Sequence, residues 1–138
     1  MIATFLFLLV LLTNPAQGRN QLIVTVESIS EKKGSIRVGL FRTKEEFLKK
    51  ATYGKVVPVQ GHAVKVIFYN VEPGDYGISI IHDLNDNGEL DTNALGIPKE
   101  GFAFGNNAMG ILGPPSFDKA KVSIEEGVVQ QVLRVRYF

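Results

Sequence analysis

Apolar and polar residues alternate along most of the chain with a period of two, the pattern of strands that bury one face. Leu22, Val24 and Val26 alternate with Ile23, Thr25 and Glu27, and Ile36, Val38 and Leu40 alternate with Arg37, Gly39 and Phe41. The Glu31-Lys32-Lys33-Gly34 turn between the two runs predicts a hairpin. Lys55 to Gln60 predicts a weak strand at a sheet edge, because Pro58 lacks an N–H for the ladder. Val64, Val66 and Phe68 share one face of a strand over Ala63 to Tyr69. Glu72-Pro73-Gly74-Asp75 has turn chemistry, and Tyr76 to Ile81 leaves it as another strand. Two closing strands, near Ala120 to Ile124 and Val128 to Tyr137, flank a Glu125-Glu126-Gly127 turn.

One stretch breaks this rhythm in the helical sense. Thr43-Lys44-Glu45-Glu46 has the form of a capping box ahead of Phe47 and Leu48, which predicts a short helix to about Lys50. About seven short strands and one short helix define an all-β class, an antiparallel sandwich. A second break, Asp83 to Lys119, is rich in glycine and carries Pro98, Pro114 and Pro115. Little regular structure is expected there, and irregular stretches of such length are commonly functional or held by a ligand.

The N-terminus must be set aside before the fold is counted. Ile2 to Leu12 is apolar apart from Thr4, Thr13-Asn14-Pro15 interrupts it, and Ala16-Gln17-Gly18 supplies small residues for a signal peptidase. Residues 1–18 are therefore read as a cleaved signal peptide and 19–138 as one exported, periplasmic or extracellular domain. The apolar run is about half the length of a membrane-spanning helix, so no span is expected. No Lys or Arg precedes it, and the amino terminus is the only positive charge there.

Composition then narrows the partners. The chain has 138 residues, 45% of them hydrophobic, enough for a single core. Lys and Arg total 15 against 14 Asp and Glu, so no overall field favours nucleic acid or an anionic surface, and recognition must be local. With no cysteine, the exported domain has no disulfide and is held by its core, with an ion as a further support.

The candidate chemistry is concentrated in His82-Asp83-Leu84-Asn85-Asp86-Asn87-Gly88-Glu89-Leu90-Asp91. Asp83, Asn85 and Asn87 occupy positions one, three and five of a calcium-type loop, Gly88 sits at six, the Glu89 carbonyl at seven and Asp91 at nine. Alternate oxygens of a tight turn converge on a hard cation, and glycine permits the bend. Position twelve is Ala94 rather than a bidentate Glu, and a strand precedes the loop, so this is not an EF-hand. Glu100 is the first candidate for the missing carboxylate, with Asn93, Asn106 and Asp118 behind it. So few formal charges predict calcium affinity at the millimolar end. The competing reading is a turn whose Asn and Asp side chains bond only their own backbone, with Asp86 solvated.

The stretches HDLNDNGELDTNALGIPKEGFAFGNNA and GPPSFDKA, with PGDYGISIIHD before them, resemble the secreted bacterial family known as domain of unknown function 2141. The resemblance covers nearly all of the chain after residue 18 and implies no established activity. PGDYGISIIHD is also similar to the strand-turn-strand of prealbumin-like modules, which implies an immunoglobulin-like or prealbumin-like sandwich.

Other sites weigh less. Phe102 and Phe104 among glycines and amides suit either a stacking platform for a glycan or peptide or, as favoured here, a plug onto the sandwich, with Asn106 and Asn107 capping turns. Of the two histidines, only His82 has an acid beside it, and successive strand residues point to opposite faces. No GxSxG, HExxH or Walker loop is present. The expected function is a non-catalytic exported module that binds calcium and recognises an envelope glycan or protein. A structural or assembly module with a metal-free loop is the alternative, and a hydrolase using His82 and Asp83 stands behind both.

Overall fold

The computed structural model describes residues 20–138, so the segment read as a signal peptide lies outside the described residues. Among the described residues eight strands form in chain order: β1 (Asn20–Glu27), β2 (Ser35–Phe41), β3 (Tyr53–Pro58), β4 (Val64–Phe68), β5 (Gly74–Asp83), β6 (Gly101–Phe104), β7 (Lys121–Ile124) and β8 (Gly127–Arg134). They make two sheets. One runs β4-β1-β8; the other runs β3-β2-β5-β6, with β7 also paired to β5. The architecture is the expected all-β sandwich, with one parallel pair, β1 against β8, among antiparallel ones.

The alternating positions fill the space between the sheets. Leu22, Val24 and Val26 from β1 meet Ile36, Val38 and Leu40 from β2 and Tyr76, Ile78 and Ile80 from β5, all within one buried cluster. Each such side chain contributes roughly 1.5–3 kcal/mol by leaving water. Tyr76 also donates its hydroxyl to the Glu72 carbonyl at 2.7 Å, a tyrosine corner at the entry to β5. β3 is an edge strand ending at Pro58, as its missing N–H requires.

Three expectations are corrected. β1 and β2 are not a hairpin: they lie in different sheets, and the connection carries buried Ile29 across the end of the core, anchored by its N–H on the His62 carbonyl at 3.1 Å. β7 and β8 likewise part to opposite sheets. Periodicity records which face is buried, not which strand is the neighbour. The helix expected over Thr43 to Lys50 is a set of turns. The Thr43 hydroxyl does cap the Glu46 N–H at 3.1 Å, but Leu48 adopts φ 61°, which no α-helix accommodates. Phe47, packed edge-on to Phe41 and Phe117, draws the segment onto the sheet instead. Among the described residues the short α-helix, α1 (Phe117–Ala120), is capped by Ser116 within the glycine-rich stretch, and that stretch also supplies β6.

β5 is central and buried on both faces from Tyr76 to Ile80. Its first half pairs with β7 (Gly74 to Gly77) and its second with β6 (Ser79 to His82), and it ends at Asp83. The acidic loop therefore begins where the best-fixed strand leaves the sheet. β2 runs beside β5, placing Ser35 opposite Asp83 and Arg37 opposite Ile81.

Candidate metal centre

Asp83 is completely buried, with 0% exposure. Its Oδ2 accepts from Arg37 Nε at 2.7 Å and from the Gly88 N–H at 2.8 Å, while Oδ1 accepts from the Asn87 N–H at 3.2 Å. The carboxylate thus folds the loop around itself. Burial pushes the Asp83 carboxyl up, but the Arg37 guanidinium and the Gly88 and Asn87 amides outweigh it and hold it below the usual carboxylate range.

The rest of the loop repeats this inward turn. Asn85 Oδ1 accepts from the Asn87 N–H at 3.3 Å, and Asn87 Oδ1 from the Glu89 N–H at 3.0 Å. Their side-chain amides donate to Asp91, Asn85 Nδ2 at 2.8 Å and Asn87 Nδ2 at 2.7 and 3.0 Å to the two oxygens. Bonds from Asn87 and Asn85 hold the Asp91 carboxyl below its usual range, with Lys99 adding to the effect. Glu89 contributes an exposed side chain and its backbone.

Glu100, chosen from sequence as the distant carboxylate, is buried (4% exposed) and reaches the loop. Oε2 accepts from the Leu84 N–H at 2.5 Å and Oε1 from the Asp91 N–H at 3.0 Å, so one side chain clamps both ends of the loop. The bridge Thr92↔Pro98 brings it back: Asn93 Oδ1 accepts from the Leu95 and Ile97 amides and makes a short arm. Asn93 therefore serves the arm. Asn106 bonds the carbonyls of Lys119 and Lys121, and Asp118 lies 3.5 Å from Lys121, so neither is engaged with the loop. A shallow groove of about 400 Å³ opens beside the loop, lined by Leu84, Asn85, Asp91, Thr92, Lys99 and Glu100.

Two participants escaped the sequence reading. Arg37 is the counter-ion of Asp83, and Ser35 donates to Asp86 at 2.6 Å, so Asp86 is a surface anchor rather than merely solvated. Both come from β2, and only the β2–β5 register brings them there. His82 faces the other side of the sheet, bonded to Tyr137 and to the Lys33 carbonyl, with no partner in common with Asp83.

As a cation site the donor set is all oxygen, suited to a hard ion. Asp83 Oδ1, Asn85 Oδ1, Asn87 Oδ1, the Glu89 carbonyl and Asp91 would hold it, whereas both Glu100 oxygens are committed to the Leu84 and Asp91 amides. Among the described residues no group of three or more His, Cys, Asp and Glu side chains is disposed around one point, so amide and backbone oxygens would carry much of the coordination.

Phe102 and Phe104 are buried in an outer cluster with Ala120, against which Phe47 and Met109 pack. Asn107 spans the edge of β8, donating to the Val132 carbonyl at 3.0 Å and accepting from the Arg134 N–H at 2.9 Å. The aromatic-amide segment is a plug and a stitch, the favoured reading of its composition.

These features define an all-β sandwich with a polar loop closing the end of its central strand. The family model described as "Uncharacterized protein conserved in bacteria" (DUF2141) matches residues 24–132, and the chain belongs to that family. No curated protein and no solved structure matches it.

Proposed function

We propose that the chain is an exported, non-catalytic binding module whose loop Asp83 to Asp91 takes up calcium, which orders the neighbouring groove for an envelope glycan or protein. The observation that carries this reading is the hydrogen-bonded cluster of Asp83, Asn85, Asn87 and Asp91, tied by Glu100, at the end of β5. Export rests on the N-terminal apolar run and the small-residue motif at Ala16 to Gly18. Arg37 already neutralises one of the carboxylates, which supports weak, millimolar affinity. The absence of a nucleophile motif, and the separate partners of His82 and Asp83, support a non-catalytic role.

Calcium titration of the purified mature protein by calorimetry, with melting curves in calcium and in chelator, tests the reading. Heat and a raised melting temperature at millimolar calcium, both lost in Asp83→Ala, are expected. Identical curves remove it. The Arg37–Asp83 ion pair favours a second reading, an assembly module whose loop is closed by its own cation, and that reading expects the identical curves.

A further inference from the structure

Ile111 and Leu112 are 99% and 100% exposed at the tip of a tight loop. Gly110 folds so closely onto the Gly113 carbonyl that a Cβ would stand 2.1 Å from its oxygen, so the two aliphatic side chains are thrust outward together. The loop has a firm root: Met109 packs on the Phe102, Phe104 and Ala120 cluster, and Pro115 is buried. The same cluster receives Phe47, and the next residue, Leu48, is 41% exposed in a left-handed conformation. Two apolar protrusions therefore spring from one aromatic base.

We propose that this end of the molecule inserts Ile111 and Leu112, with Leu48 from the same aromatic base, into the surface of an anionic lipid bilayer. A protein partner would need a pocket shaped to a protruding tip, whereas the acyl region accepts any convex apolar group at the interface. Charge agrees with lipid. Lys49 and Lys50 follow Leu48 as exposed ammonium groups with no ion pair among the described residues, and Lys119 is exposed on α1. Of the nearby acids, Asp118 is taken by Lys44 and Lys121 and Asp75 by Ser123 and Lys121, leaving Glu45 and Glu46.

The Phe47 root stands apart from the strongly acidic loop: Phe47 and Phe117 sit over Gly77, whereas that loop starts at Asp83, about 20 Å along β5 at 3.3–3.4 Å per residue. Contact at this end is peripheral, since no helix among the described residues is long and apolar enough to cross a membrane. This proposal does not depend on calcium at the acidic loop.

Co-sedimentation of the mature protein, in chelator, with phosphatidylglycerol-containing vesicles and with phosphatidylcholine vesicles tests it. Wild type is expected to sediment with the anionic vesicles, and Ile111→Ser/Leu112→Ser to bind about tenfold more weakly or less, with its melting temperature unchanged. Lys49→Gln/Lys50→Gln is expected to reduce binding to the level seen with phosphatidylcholine. Wild type staying in the supernatant, or undiminished binding by the serine variant, overturns the proposal. So does a vesicle-free dimer of the wild type that the serine variant abolishes, since a second copy would then be the occupant.

Discussion

Arg37 Nε lies 2.7 Å from Asp83 Oδ2, joining β2 to the end of β5 through side chains where the sheet gives way to the acidic loop. Arg37 is 32% exposed and Asp83 is fully buried. Removing the guanidinium leaves a buried carboxylate with only backbone amides as partners, and stranded buried charges cost several kcal/mol. Partial exposure of Arg37 screens the loss. Arg37→Ala is therefore expected to lower stability by about 2 kcal/mol in urea unfolding. Asp83→Asn/Arg37→Ala should lose less than the sum of its single variants, because neither partner is then left charged alone.

The same carboxylate sets an acid limit. Folded Asp83 binds its proton less readily than the unfolded chain, whose aspartates titrate at about pH 3.9. Between the two values the unfolded state carries more protons, so stability rises with pH there. The contribution of Asp83 is full above that unfolded value and is lost as pH falls through the lower, folded one. Urea midpoints taken from neutral pH down into this acid window should drop steeply for wild type and more gently for Asp83→Asn. Parallel profiles for the two proteins would refute the assignment.

Glu100 tests the clamp on the loop. Its two oxygens accept from the Leu84 and Asp91 amides, and a Gln there faces one of those N–H groups with an NH₂ donor. Glu100→Gln is expected to cost about 1–3 kcal/mol and to speed hydrogen exchange at one of the two amides, Leu84 or Asp91, more than at the centre of β5. Exchange that rises uniformly along β5 would show that Glu100 supports the whole sheet rather than the loop.

The sequence made faces legible and neighbours illegible. Leu22, Val24, Val26, Ile36, Val38 and Leu40 are buried as their alternation requires, because an inward face must be apolar whichever strands flank it. The β1–β2 hairpin failed because a run of polar residues between two strands suits a crossing between sheets as well as a return within one. At the loop, Asp83 to Asp91 could be read from its spacing, and Glu100 from the turn that returns the chain. Arg37 and Ser35 could not: they join the loop through the β2–β5 register, a contact over 46 residues in one case and 51 in the other. At Thr43 the local cap formed as written, yet packing of Phe47 overrode helix propagation.

On the inner side of the sheet, His82 organises the C-terminus. It is fully buried, with Nε2 at 2.7 Å from the Lys33 carbonyl and Nδ1 at 2.7 Å from the Tyr137 hydroxyl. A carbonyl only accepts, so Nε2 carries the proton and Nδ1 receives the tyrosine hydrogen; the Tyr137 oxygen in turn accepts from the Ser30 N–H at 3.1 Å. This chain of bonds holds the segment in which Arg136 exchanges backbone hydrogen bonds with Phe102 at 3.0 and 2.9 Å. Tyr137→Phe keeps the ring but leaves a buried imidazole nitrogen unpaired, an expected loss of about 1–3 kcal/mol. Gly101→Ala attacks the same place sterically, since a Cβ there would stand 2.4 Å from both Tyr137 and Val135 side chains. Exchange at the Phe102 and Arg136 amides should therefore accelerate in both variants and more in Gly101→Ala, which must displace the strand rather than merely unpair it. If Tyr137→Phe matches wild type in both stability and exchange, the hydroxyl is not what fixes this end of the chain.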